Sequence, residues 1–115
     1  MTLHMTPAIV EAAYELLLTT PPFRAWKLPH ADDIEFHIDR HKSRLGAYRW
    51  EGKHTVAISS KLITQLPLLL SVLAHELCHL RQQIVWPRDK AEHGYRFNRM
   101  ADAVCRWHSL DRAMF

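Results

Sequence analysis

The chain of 115 residues lacks three features that would place it in a specialised class of protein. It has no apolar run near the roughly 18–20 residues that cross a bilayer, because the longest, residues 66–74, contains a proline and a serine. Its first residues lack the basic start and the cleavage pattern of a signal peptide. Its two cysteines, Cys78 and Cys105, are too few for a disulfide scaffold and are not spaced as a CxxC pair. We therefore expect one domain over residues 1–115, located in the cytoplasm.

The charge is unevenly distributed along the chain. Residues 1–79 contain eight basic and eight acidic side chains, whereas residues 80–115 contain seven basic and four acidic ones. A basic segment of this kind can contact phosphates, so weak contact with DNA through this C-terminal region is one interpretation. Arginines solvated on helix faces explain the same composition, and the sequence leaves both interpretations open.

Hydrophobic periodicity predicts an α+β domain. Thr6-Pro7 is typical of a helix start, and the apolar spacing that follows it predicts a helix that ends before Pro21. The remaining predicted elements are strands at 34–39, 45–50 and 54–59, a helix over 67–83 and a last helix over 94–108. This order predicts an N-terminal helix, a small three-stranded sheet, antiparallel or mixed, and two further helices.

Each of the last two predicted helices has an apolar stripe that we expect to face the core. The stripes consist of Leu69, Leu73, Leu77, Leu80 and Ile84 in the first helix, and of Phe97, Met100, Ala101, Val104 and Trp107 in the second. Cys78 is expected to be a small buried apolar residue.

The most informative stretch is His75-Glu76-Leu77-Cys78-His79, in the middle of the predicted helix 67–83. Two histidines four residues apart lie on one helix face, so both imidazoles can bind one metal ion. Glu76 is then placed to take the proton of a metal-bound water. Random placement of the chain's own histidines and glutamates would produce this pattern only roughly 0.04 times. The pattern is therefore typical of a zinc peptidase.

The third metal ligand has to come from another part of the chain, because a catalytic zinc usually has three protein ligands and one open position. The metzincin spacing is absent, since Gln82 and Val85 occupy the places of its glycine and third histidine. His93 is the favoured candidate, because a predicted helix N-terminus disfavours a protonated imidazole. Gly94 beside it permits close backbone approach. Glu92 stays an alternative, because a carboxylate completes other zinc peptidase sites.

Two motifs together resemble the SprT-like zinc metallopeptidase domain, a zincin that is related to SprT and Spartan proteases. The HExxH stretch is followed by His93-Gly94-Tyr95-Arg96-Phe97, which is similar to the family's downstream HGxxF or HGxxW. The segment 58–62 and the order of the elements are also similar, and the resemblance covers about residues 34–107. Unlike many relatives, the sequence has no cysteine-rich zinc ribbon after this region.

The resemblance implies a function and a set of site residues. It implies a minimal zincin-like domain with one Zn²⁺ per chain, bound by His75, His79 and His93, and with Glu76 as catalytic base. It also implies peptidase activity on protein or peptide substrates, in some relatives on proteins bound to DNA.

Three points about this function remain as expectations. A zinc-stabilised binding or regulatory module without catalysis is the alternative function, although a purely structural site has no need of Glu76. Tyr95 or an arginine of the last helix could stabilise the oxyanion, although helical packing is the favoured role of Tyr95. The strand 54–59 is a candidate edge for an extended peptide.

Overall fold

The computed structural model describes residues 3–115, so the chain's first two residues, which contribute to the expectation about a signal peptide, lie outside it. Helix α1 (Pro7–Leu18) begins as predicted, because the Ile9 N–H donates to Thr6 Oγ1 at 3.2 Å and caps it. Two short 3-10 helices, Phe23–Trp26 and Ala31–Asp33, occupy the following loop.

The sheet contains β1 (Ile34–Asp39), β2 (Gly46–Trp50) and β3 (His54–Ser59) in the spatial order β1-β3-β2. β3 pairs in parallel with β1 and antiparallel with β2, so the sheet is mixed. The expectation that the strand 54–59 is a peptide-binding edge is wrong, because neighbours on both sides already use its backbone groups. β2 is an edge strand instead.

Helix α2 (Leu66–Val85) lies against the sheet, and helix α3 (Tyr95–His108) packs on α2. The predicted stripe of α2 is fully buried except for Ile84, which is exposed. Val85 next to it is exposed as well, so the last two residues of α2 lie outside the core.

The buried face of α3 also differs from its prediction at one position. Trp107 is exposed, because the buried face turns towards Cys105 at this end of the helix. Cys78 is fully buried, as predicted. The α+β prediction is confirmed. Within residues 3–115, the helices are too short or too polar to cross a membrane.

Candidate metal centre

Three histidines converge where α2 meets the start of α3. α2 carries His75 and His79 on one face, and His93 stands just before α3. Their ligand atoms all lie within 4.8 Å of one another, and the Nε2 atoms of His79 and His93 are 3.2 Å apart. Two nitrogens bound to one tetrahedral zinc at ~2.0–2.1 Å are about 3.3 Å apart. The spacing of these two imidazoles therefore fits a zinc ion.

The protonation state of the cluster also suits a metal ion. His75 Nδ1 lies 2.8 Å from the backbone oxygen of Phe115, and an oxygen of this kind only accepts, so the proton is on Nδ1. Nε2 then keeps its lone pair for a metal. Burial lowers the pKa of His75, and burial followed by the neighbouring imidazoles lowers that of His79 to about 4. Both rings are neutral at physiological pH, as coordination requires.

Phe97 packs against all three imidazoles. Its ring centroid lies 5.0 Å from that of His75, 4.6 Å from that of His79 and 4.7 Å from that of His93. The ring is buried, and Phe97 lies in the first turn of α3. It therefore restricts the rotation of the three ligand side chains at once.

The segment at the C-terminal end of the described chain supports the cluster through one guanidinium. Arg112 donates to Asp102 Oδ1 and to Asn98 Oδ1, each at 2.7 Å. Asn98 Nδ2 in turn donates to the backbone oxygen of His93 at 3.2 Å. Arg112 also starts the short 3-10 helix Arg112–Met114, which leads to the oxygen that binds His75 Nδ1. One side chain thus connects the supports of two of the three histidines.

Glu76 lies beside the cluster and is only 7% exposed. Burial raises the pKa of Glu76 to about 7, although a hydrogen bond from the Tyr48 backbone N–H and the charge of Arg44 act in the opposite direction. A carboxyl group with a pKa near 7 can both accept and release a proton at neutral pH.

The histidines and Glu76 face a cleft of about 440 Å³ between α2 and β2. Gly46 lets the two elements approach closely, because a Cβ there would lie 2.8 Å from Val72 Cγ1. Arg44, held by Asp39 Oδ2 at 3.0 Å, stands at the rim of the cleft. The other side chains that line the walls include Tyr48, Trp50, Gln82, Trp86, Asp89 and Glu92.

Comparison with known protein families shows to which family the chain belongs. Residues 20–113 match the model of the SprT-like family, a span that contains the three histidines and Glu76. The chain belongs to the SprT-like family. No curated protein matches its sequence. A group of three histidines that can hold a metal ion is therefore part of this SprT-like domain.

The structure brings His75, His79 and His93 of the SprT-like domain together, with Glu76 beside them. Glu92, the alternative ligand, lines the cleft but is outside the histidine group. The expectation for Tyr95 finds no support, because Tyr95 is 74% exposed, binds Arg99 and does not line the cleft.

Sequence reasoning missed three contributors to this site. A glycine at the start of a predicted strand is a signal of close backbone approach, so Gly46 could have been found. Arg44 and Arg112 carry no such signal, because each reaches the site only through the folding of a distant segment.

Proposed function

We propose that this SprT-like domain is a zinc-dependent endopeptidase that cleaves extended segments of proteins or peptides. The observation that carries the proposal is the open side of the histidine cluster. Among residues 3–115, the group contains three ligands, and their exposed side faces a cleft that also contains buried Glu76. A structural zinc site is normally closed by four protein ligands, whereas a catalytic site keeps one position open. This difference favours the endopeptidase over a non-catalytic zinc-stabilised module.

The edge of β2 supports binding of an extended chain. Ser59 N donates to Leu45 O, which makes these residues a hydrogen-bonded pair of the β2–β3 ladder. In an antiparallel ladder such pairs alternate, so residues 47 and 49 also direct their backbone groups towards β3. The backbone groups of Gly46 and Trp50 and the Tyr48 carbonyl then point to the open edge at the cleft, where the Tyr48 N–H faces Glu76. A peptide can add there as a further strand.

The residues of the site have distinct roles in hydrolysis. His75, His79 and His93 would hold Zn²⁺, which supplies Lewis-acid activation of water and of the scissile carbonyl. Glu76, which lines the cleft beside the histidines, accepts a proton from the attacking water and delivers it to the leaving amine. β2 aligns the substrate along the cleft that Glu76 also lines.

The test compares wild-type protein with Glu76→Gln on an unfolded protein substrate, with and without a chelator. We expect wild type to cleave, Glu76→Gln to bind about one zinc per chain like the wild type, and its cleavage rate to fall by about 10²–10⁴. Glu15→Gln, the same change at an exposed glutamate of α1 that does not line the cleft, should retain cleavage. Equal inactivity of wild type and Glu76→Gln would favour the binding module.

Proteins associated with DNA are part of the proposal as one class of substrate. Intramolecular contacts already occupy several basic side chains of residues 80–115: Arg81 lies over the Trp26 ring at 4.8 Å, and Arg96 lies 3.6 Å from Asp89. These contacts reduce the charge available to phosphates. Adding DNA to the cleavage assay tests this part of the proposal, since DNA-dependent cleavage would support it. A cytoplasmic location remains a prediction.

A further inference from the structure

A second pocket of about 220 Å³ adjoins the catalytic cleft. Five hydrophobic side chains line it together with the polar side chains of Ser71, His75 and Glu76, and Gly46, His75 and Glu76 border both cavities. We define the apolar pocket by the hydrophobic side chains that line it: Leu45, Leu68, Val72, Met114 and Phe115. Three of them, Leu45, Leu68 and Met114, are among the large hydrophobic residues that the chain leaves exposed.

The two cavities meet at Gly46, His75 and Glu76 and extend from there towards opposite ends of α2. The apolar pocket is bordered by Leu45, just before β2, and by Leu68 in the first turn of α2. The catalytic cleft extends the other way, to Trp50 at the end of β2 and to Trp86 after α2. A chain that follows β2 from Trp50 towards Leu45 therefore passes the metal centre before it reaches the hydrophobic side chains of the pocket.

The size of the pocket suits one large side chain. A dry cavity of about 150 Å³ already holds a benzene molecule. The pocket is therefore large enough for a leucine, methionine or phenylalanine side chain. An occupant of this kind would cover apolar surface that is otherwise in contact with water.

We propose that the apolar pocket is a specificity site for a large apolar side chain on the C-terminal side of the scissile bond. The direction follows from β2, because antiparallel strand pairing is slightly more stable per residue than parallel pairing. A peptide antiparallel to β2 runs from Trp50 towards Gly46, so the residues after the cleaved bond meet the pocket. The proposal rests on the proposed endopeptidase function, and the experiment below separates the two.

The first measurement is peptide binding without cleavage. Zinc-loaded Glu76→Gln is titrated with two fluorescein-labelled decapeptides that differ only in one central residue, leucine or aspartate. We expect the leucine peptide to bind about tenfold more tightly. Leu68→Glu or Met114→Glu, added to Glu76→Gln, should abolish this preference, and both sites tolerate a charge because they are 38% and 82% exposed.

The matched control is Leu16→Glu on α1, a leucine that is 51% exposed and does not line either cavity. It should keep the preference for leucine. Equal binding of the two peptides, or a preference that survives both Leu68→Glu and Met114→Glu, would overturn the pocket assignment.

The second measurement is cleavage of the same peptides by wild-type protein, with the cut sites mapped by mass spectrometry. We expect the bond immediately before the leucine to be cut. A cut immediately after the leucine would overturn the proposed chain direction. Preferred binding of leucine without cleavage of any peptide would leave the pocket supported and refute the proposed hydrolysis.

Discussion

Arg112→Ala should reduce the free energy of zinc binding more than it reduces the free energy of unfolding of the metal-free protein. The change removes the guanidinium that donates to Asp102 and Asn98 at 2.7 Å each. The segment that carries the Phe115 oxygen, which accepts from His75 Nδ1, is then no longer held in place by Arg112. Asn98 also loses the hydrogen bond that orients its amide towards the His93 backbone oxygen. Groups that orient metal ligands in this way typically contribute 10–100-fold to metal affinity.

The two expected magnitudes can be separated. The side chains of Arg112 and Asp102 are 40% and 55% exposed, so solvent screening limits their ion pair to about 0.5 kcal/mol. With the bond to Asn98, the free energy of unfolding of the metal-free protein should fall by about 1 kcal/mol. The dissociation constant for zinc should rise about tenfold, which is the lower end of the range for such groups.

The direction of the change in zinc affinity distinguishes the loss of support for the histidines from the loss of the Arg112 positive charge. Burial is the main cause of the lowered pKa of His75, and the positive charge of Arg112 adds to it, so this charge is close enough to repel a cation. Its removal alone would strengthen zinc binding. A loss of affinity in Arg112→Ala therefore reports the loss of support for the ligands.

The assay is competition for zinc with a chelator, accompanied by urea denaturation of the metal-free proteins. Arg106→Ala is the control, because Arg106 is an exposed arginine of α3 and lacks an ion pair within residues 3–115. Arg112→Lys can keep a contact with Asp102 but cannot reach both acceptors, so its zinc affinity should lie between those of wild type and Arg112→Ala. Zinc affinity in Arg112→Ala equal to that of wild type and Arg106→Ala would refute the reasoning.

Two further predictions concern the cleft wall and the metal-free protein. Gly46→Ala should lower the free energy of unfolding by about 1–3 kcal/mol, because the new Cβ would lie 2.8 Å from Val72 Cγ1. Urea denaturation measures this loss, and a double-mutant cycle with Val72→Ala that shows no coupling would contradict its cause. In the metal-free protein, burial raises the pKa of Glu76 from 4.5 to about 7, so the stability contributed by neutral Glu76 is lost as the pH rises through this range. Burial lowers the pKa of His79 from 6.5 to about 4, so its contribution is lost as the pH falls through that range. Between about pH 4.5 and 6.5 the two groups change the free energy of unfolding in opposite directions as the pH rises. Glu76→Gln should therefore gain more stability with rising pH than wild type. If urea denaturation gives the same pH dependence for both proteins, the role assigned to Glu76 is wrong.

Much of the fold could be predicted because it depends on local patterns. The bounds of β1 and β3 match the alternation of apolar and polar residues, and α1 starts at its predicted cap. The order of strands could not be predicted in this way. The partner of β1 is β3, which follows it only after the whole of β2, and such a pairing depends on long-range packing. The wrong edge strand in the sequence analysis is a consequence of this.

The same difference between local and long-range structure decides which parts of the candidate site could be predicted. His75, Glu76 and His79 share one helix, so their proximity follows from helix geometry. His93 could be predicted only as one of two candidates, since the loop before it can bring either His93 or Glu92 near α2. The apolar pocket could not be predicted, because Leu45, Leu68 and Met114 come from three distant segments.

Phe97 gives a physical reason for the spacing of the second motif. His93 precedes α3, and Phe97 lies in the first turn of α3, where its ring contacts the two imidazoles of α2 as well as that of His93. Gly94 makes this turn compact, since a Cβ there would lie 2.6 Å from Ala91 Cβ. Three imidazoles in an open cleft would otherwise be free to rotate away from a common centre. The Phe97 ring therefore limits the rotation of all three imidazoles, which favours a common orientation of these candidate ligands before a metal ion binds.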